Sequence, residues 1–162
     1  MRICLVRHAI AVERGSGGYS DDRARPLTPE GRKRMAEAAK GLATLVTPDA
    51  IHTSPVLRAR QTAEILTRAL RAPVIELEAL GRGDHAGTLA ALNASGNETA
   101  CVVGHEPWMS ELLSYLVTGT PDAVATSFKK GGAALIECGD GATAGDGALI
   151  WFLPPAVLRR LA

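Results

Sequence analysis

The chain has 162 residues, 46% of them apolar, and a formal net charge of +1. That length and apolar content suit one domain, residues 1–162, with a sizeable core, and they exclude a disordered chain. The near balance of charge argues against a general nucleic-acid or membrane-surface binder, so any basic patch must be local.

The elements are predicted in chain order. Arg2–His8 is a strand, an apolar run ending in Arg7-His8. Glu13–Asp22 is a loop, with Gly15, Gly17, Gly18 and Ser20 giving it freedom. Thr28 is an N-cap, Pro29 suits the first helical position, and Glu30 suits the helix dipole. The helix then carries Met35, Ala38, Ala39, Leu42 and Leu45-Val46 at helical spacing. Ala50–Thr53 is a short strand. Ser54 is expected to cap the next helix, with Leu57, Ile65, Leu66 and Leu70 as its core residues. Pro73–Leu77 is a third strand, Gly81–Gly87 a loop, and Thr88–Asn93 a small helix capped by Asp84.

Thr99–Val103 is continuously apolar, as a buried parallel strand should be. Pro107 starts a helix lined by Met109, Leu112, Leu113 and Leu116. Two strands follow, Ala133–Cys138 and Ala148–Leu153, joined by a turn over Gly139–Gly147, and Val157–Leu161 closes the chain as a helix. Alternating strands and helices predict an α/β fold with a largely parallel sheet, and the late turn predicts an antiparallel edge.

Cys4, Cys101 and Cys138 are odd in number, lie in apolar runs and lack metal-ligand spacing. They read as buried free thiols of a reducing compartment. The chain opens directly into a strand, with no secretory leader expected, and no apolar run approaches the roughly 20 residues of a membrane helix. A cytoplasmic location is the expectation. Asn97-Glu98-Thr99 fits a glycosylation acceptor, which carries no weight there.

Arg7-His8 at a strand end suits a phosphate. Ligands of open α/β sheets bind at the carboxyl ends of strands. A guanidinium can clamp phosphate oxygens in a forked geometry, and an imidazole can attack phosphorus. Alone, the pair is better read as a solvated strand terminus. Its companions decide the matter: Arg58 in Thr53-Ser54-Pro55-Val56-Leu57-Arg58-Ala59-Arg60-Gln61-Thr62, His105 in Val102-Val103-Gly104-His105-Glu106-Pro107, and Arg25 in Arg25-Pro26-Leu27-Thr28-Pro29-Glu30-Gly31.

These blocks, in this order, closely resemble the histidine phosphatase superfamily, the phosphoglycerate-mutase-like fold. The short length and Arg25-Pro26-Leu27-Thr28 most resemble its SixA-type phosphohistidine phosphatases. The resemblance implies a three-layer α/β/α sandwich with a mostly parallel central sheet and an antiparallel edge strand. It implies His8 as the nucleophile, Arg7 and Arg58 as phosphate clamps, and His105, protonated, as a donor to a phosphate oxygen. Arg25 would lie near the mouth, touching phosphate or an acidic partner, or would be structural. Arg60, Arg68 and Arg71 are read as exposed helix residues, and Lys129 and Lys130 as a solvated pair near the rim. No cofactor or metal is implied, since the arginines supply the charge. The implied partner is a phosphohistidine-containing phosphotransfer protein.

Two departures from the family pattern matter. Ala9 stands where the superfamily usually has glycine, and alanine resists φ > 0. A carboxyl general acid, which esterases and mutases use to protonate an alkoxide leaving group, has no clear match. Glu78 and Asp84 are the candidates, with Asp84 better read as a cap, Glu76 locked in its strand, and Glu106 adjacent to His105. A phosphohistidine leaving nitrogen is readily protonated by solvent and needs little such help. The competing readings are a small-molecule phosphomonoesterase on the same scaffold and a non-catalytic phosphate-binding or interaction module.

Overall fold

The computed structural model describes residues 1–16 and 18–162. Gly17, one of the loop glycines, lies outside the described residues. Among those described, six strands form one sheet in the order β3-β2-β4-β1-β5-β6. The strands are β1 (Arg2–Arg7), β2 (Ala50–Thr53), β3 (Val74–Glu76), β4 (Thr99–Gly104), β5 (Ala133–Glu137) and β6 (Ala148–Leu153). The pairs β1–β4, β2–β4 and β2–β3 are parallel, whereas β5 runs antiparallel to both β1 and β6. Only β5 thus runs against the other strands, a single reversed strand as expected, one place in from the edge strand β6.

The helices are α1 (Pro29–Ala43), α2 (Leu57–Leu70), α3 (Glu78–Arg82), α4 (His85–Ala94), α5 (Trp108–Thr118) and α6 (Pro155–Arg160). β1 and β4 are buried on both faces, so alternate residues feed two cores. Cys4 and Val6 of β1 pack with Met35, Leu42, Leu66 and Leu158 of α1, α2 and α6. Ile3 and Leu5 pack with Leu80, Leu92, Met109 and Leu113 of α3, α4 and α5. The result is the three-layer sandwich the resemblance implied. Cys4 and Cys101 face each other in register, and with Cys138 they are buried free thiols.

Local chemistry sets the boundaries. Thr28 caps α1 by accepting from the Gly31 N–H at 2.9 Å, with Pro29 in the first turn. Asp84 caps α4 through the Gly87 N–H at 2.8 Å. Several expectations need correction. Ser54 does not cap α2; Val56 holds that position, and the Ser54 hydroxyl, two residues earlier, accepts from the Val56 N–H at 3.3 Å. Pro107 precedes α5 as its N-cap rather than opening it. The segment read as a loop over residues 81–87 is helical at both ends, because only Gly83 breaks it, at φ 70°. Gly81 remains in α3, where its bare Cα lets the helix pack on Pro55. Leu57 and Ile65 are only partly buried, and Leu45 is exposed.

Candidate active site

The site lies where neighbouring strands send their helices to opposite faces. β1 leads to α1 on one face and β4 leads to α5 on the other. The crevice so opened at the strand ends is where ligands bind in open α/β sheets. The register pairs Arg7 with Gly104, and the His8 N–H donates to the Gly104 carbonyl at 2.9 Å. His8 and His105 are therefore delivered side by side. β2 ends one strand further on, and its Ser54 N–H donates to the Val103 carbonyl at 3.0 Å, which brings the start of α2 and Arg58 to the same edge.

His8 is buried and its ring is fixed from both sides. Nδ1 lies 2.7 Å from the Ala9 carbonyl, which can only accept, so Nδ1 carries the proton. Nε2 then keeps its lone pair, and the Arg58 Nε–H donates to it at 3.2 Å. Burial pushes the His8 pKa down to about 3, and the nearby charges of Arg58 and Arg7 push the same way against the Ala9 bond. The imidazole is neutral at neutral pH, as an attacking nitrogen must be. Ala9 adopts ordinary backbone angles, since Arg71 is the one non-glycine residue at positive φ among the described residues. Its N–H donates to the Thr62 hydroxyl at 3.0 Å, and that hydroxyl donates to the Arg58 carbonyl at 2.7 Å. Alanine at position 9 thus costs the geometry nothing. Thr62 links the nucleophile strand to the arginine helix, a role that its place in a helical repeat did not reveal.

Arg7 donates through one terminal nitrogen to the Phe128 carbonyl, while its Nε is buried with no partner among the described residues. His105 Nε2 is the other such atom, and its ring packs against Trp108 at 4.5 Å between centroids, tilted by 54°. Buried polar groups are nearly always paired, and two orphans converging on one crevice mark a place for a polar ligand. Burial first, then the Arg58 charge, lowers the His105 pKa to about 4. Burial, with the Arg58 charge beside it, therefore favours the neutral ring in the free protein, whereas the expected protonated role belongs to the phosphate-bound site. A bound oxyanion would reverse that balance.

The largest omission from the sequence reading is Asp22. Its carboxylate takes Arg14 Nε at 2.9 Å, Arg25 Nε at 3.0 Å and Arg58 Nη2 at 3.1 Å, and its carbonyl takes Arg58 Nη1 at 2.7 Å. The Arg14 bond first, then the Arg58 and Arg25 charges, hold Asp22 down to about 2, so it is ionised. Arg25 is half in this cluster and half on the Val12 carbonyl, so it ties down the loop. The single 3-10 turn of Asp22–Ala24 thereby fastens the loop onto Arg58. Nothing in the local pattern could signal this, since the contacts join residues 36 apart.

The candidate acids stand elsewhere. Glu78 is exposed and faces Arg82 at 3.8 Å. Asp84 is spent on its cap. Glu106 binds the Ser110 hydroxyl and the Phe128 N–H, both at 2.7 Å, so it braces the segment that holds Arg7. Glu76 pairs with Arg60 at 3.0 Å on the exposed edge strand.

The Histidine phosphatase superfamily (branch 1) matches residues 3–84. A protein of Picosynechococcus sp. with no assigned function is 37% identical over 125 residues, 74% of each chain. The solved protein histidine phosphatase SixA complexed with tungstate superposes with a TM-score of 0.80 at 27% identity, over 98% of this chain and 99% of that one. The mycobacterial glucosyl-3-phosphoglycerate phosphatase shares the fold alone, with a TM-score of 0.73 at 16% identity over 94% and 98% of the two chains. The chain belongs to the histidine phosphatase superfamily, with strong structural matches to SixA phosphohistidine phosphatases. Family and neighbours support phosphatase activity. No helix among the described residues is long and apolar enough to cross a membrane.

Proposed function

We propose that the protein removes the phosphoryl group from phosphohistidine on a partner protein, through a covalent intermediate on His8. In the first step the incoming phosphoryl oxygens bind the Arg7, Arg58 and His105 nitrogens. Arg58 then donates to oxygen instead of to His8 Nε2, which frees the lone pair. Nε2 attacks phosphorus as the bond to the leaving imidazole breaks, and that imidazole takes a proton from water. In the second step water attacks phosphorus, His8 leaves as the neutral imidazole, and phosphate departs. The guanidiniums stabilise the charge on the equatorial oxygens in both steps.

The observation that favours phosphohistidine is the lack, among the described residues, of a carboxyl acid free to serve the leaving group. Asp22 is ionised and bound by three arginines, and Glu78, Asp84 and Glu106 are engaged elsewhere. An alkoxide leaving group needs such an acid; a phosphoramidate nitrogen does not. The partner would be a phosphohistidine-containing phosphotransfer protein, which places the enzyme in signal transduction in the cytoplasm.

The test is phosphate release from a phosphohistidine-bearing phosphotransfer protein beside a panel of small phosphoesters, with Glu78→Gln as the acid control. Release from phosphohistidine with feeble ester turnover, unchanged by Glu78→Gln, is expected. Preference for one ester together with a large loss in Glu78→Gln would move the protein to the small-molecule phosphomonoesterases. Phosphate binding without any turnover would make it a non-catalytic module.

A further inference from the structure

A separate cavity of about 250 Å³ adjoins the peptide that follows His8. Ala9, Ile10, Met35, Ala38 and Pro155 give it an apolar floor between α1, α6 and the turn before β5. Lys129, Lys130, Arg34 and Arg159 stand on its rim, and no carboxylate lines it. Arg34 is neutralised by Glu30 at 2.5 Å. Lys129, Lys130 and Arg159 make no ion pair or side-chain hydrogen bond among the described residues. Three uncompensated cations around an apolar hollow fit one chemistry, an anionic head on a compact apolar body. Pockets for drug-sized ligands run roughly 300–1,000 Å³. This one is smaller and lies between three elements, so it suits a small molecule rather than a helix or strand of a protein.

We infer that this cavity is a second binding site, for a small amphiphilic anion such as a short-chain or aromatic carboxylate. The inference does not depend on the phosphatase reading. The site is mechanically joined to the nucleophile. The Gly131 N–H, at the cavity wall, donates to the Arg7 and His8 carbonyls at 3.1 Å each, and the Arg7 N–H donates to the Gly132 carbonyl at 3.1 Å. A ligand that pulls on Lys129 and Lys130 therefore acts on the backbone that carries Arg7 and His8, and occupancy should alter turnover.

Anilinonaphthalene sulfonate, a fluorescent amphiphilic anion, is a suitable probe, titrated into the full chain with saturating inorganic phosphate present. Saturable one-site binding is expected, displaced by octanoate but not by octylamine. Lys129→Glu with Arg159→Glu should weaken it at least tenfold. Ala156→Trp, at an exposed position on the rim, should abolish it. Lys33→Glu of α1 with Arg68→Glu of α2, neither of which lines the cavity, should leave it unchanged. Absence of saturable binding under saturating phosphate, competition by octylamine equal to that by octanoate, or undiminished binding in the charge-reversed rim variant would each overturn the inference. The charge reversals decide the matter even if the tryptophan variant fails to fold.

Discussion

Between pH 7 and pH 5 the folded chain should lose stability because its two site histidines do not take up protons that the unfolded chain accepts. Burial holds His8 at about 3 and His105 at about 4, against an ordinary 6.5. A histidine whose folded pKa is depressed contributes stability that is present above 6.5 and lost as pH falls below it. At pH 5 the unfolded groups are charged and the folded ones are still neutral. With about 1.36 kcal/mol per pH unit, each histidine accounts for about 2 kcal/mol at pH 5. Both folded rings are still neutral at pH 5, so the two losses add to about 4 kcal/mol, a large part of a typical domain's stability. His52 is shifted in the same direction by burial and adds to the loss. Asp22 does not confuse the window, because its depressed pKa of about 2 gives stability that is lost only below the ordinary 3.8. Urea denaturation at pH 7, 6 and 5 would measure the slope. His8→Asn, which removes one titrating ring, should lower that slope by about one proton, about 1.4 kcal/mol per pH unit. Parallel slopes in the variant and the parent would refute the claim that His8 is held neutral by burial.

Three further outcomes follow from the geometry. Arg58→Ala should lower kcat/KM on phosphohistidine about 100- to 1,000-fold, as loss of a donor to developing charge does; an unchanged rate would remove Arg58 from the clamp. Asp22→Asn should tighten binding of inorganic phosphate, read by calorimetry, because it removes the carboxylate charge that competes for Arg58 Nη2 while the main-chain carbonyl keeps its hold on Nη1; weaker binding would show that its anchoring outweighs its competition. Gly31→Ala should destabilise the fold by about 1–3 kcal/mol, since its Cβ would fall 2.0 Å from the Ile10 carbonyl oxygen, and thermal melting would show it.

Much of the site was legible because its parts sit at strand ends, and strand ends are marked by apolar runs that stop. Arg7-His8 and Gly104-His105 are such stops, and parallel pairing of β1 with β4 turns two distant dipeptides into neighbours. Arg58 was separated from Arg60 and Arg68 only by the family pattern; the structure shows it buried and the other two exposed. The loop latch was not legible. Asp22 lies in a run of charged residues that reads as solvated, and only the tertiary fold sets it against Arg58. The helix α3 was hidden by Gly81 and Gly83: Gly81 stays helical against Pro55, and Gly83 ends the helix as its left-handed cap. The downward shift of the His105 pKa in the free chain was not legible, because sequence carries no measure of burial.

The central claim is that the phosphoryl group passes through His8. The most direct measurement is rapid acid-free quenching during turnover of a phosphohistidine-bearing phosphotransfer protein, followed by mass spectrometry of the peptide that contains His8. A single phosphoryl group on that peptide, formed and lost within one turnover and missing in His8→Asn together with activity, is the predicted result. Turnover that persists in His8→Asn, or a phosphoryl group found on another residue, would contradict it.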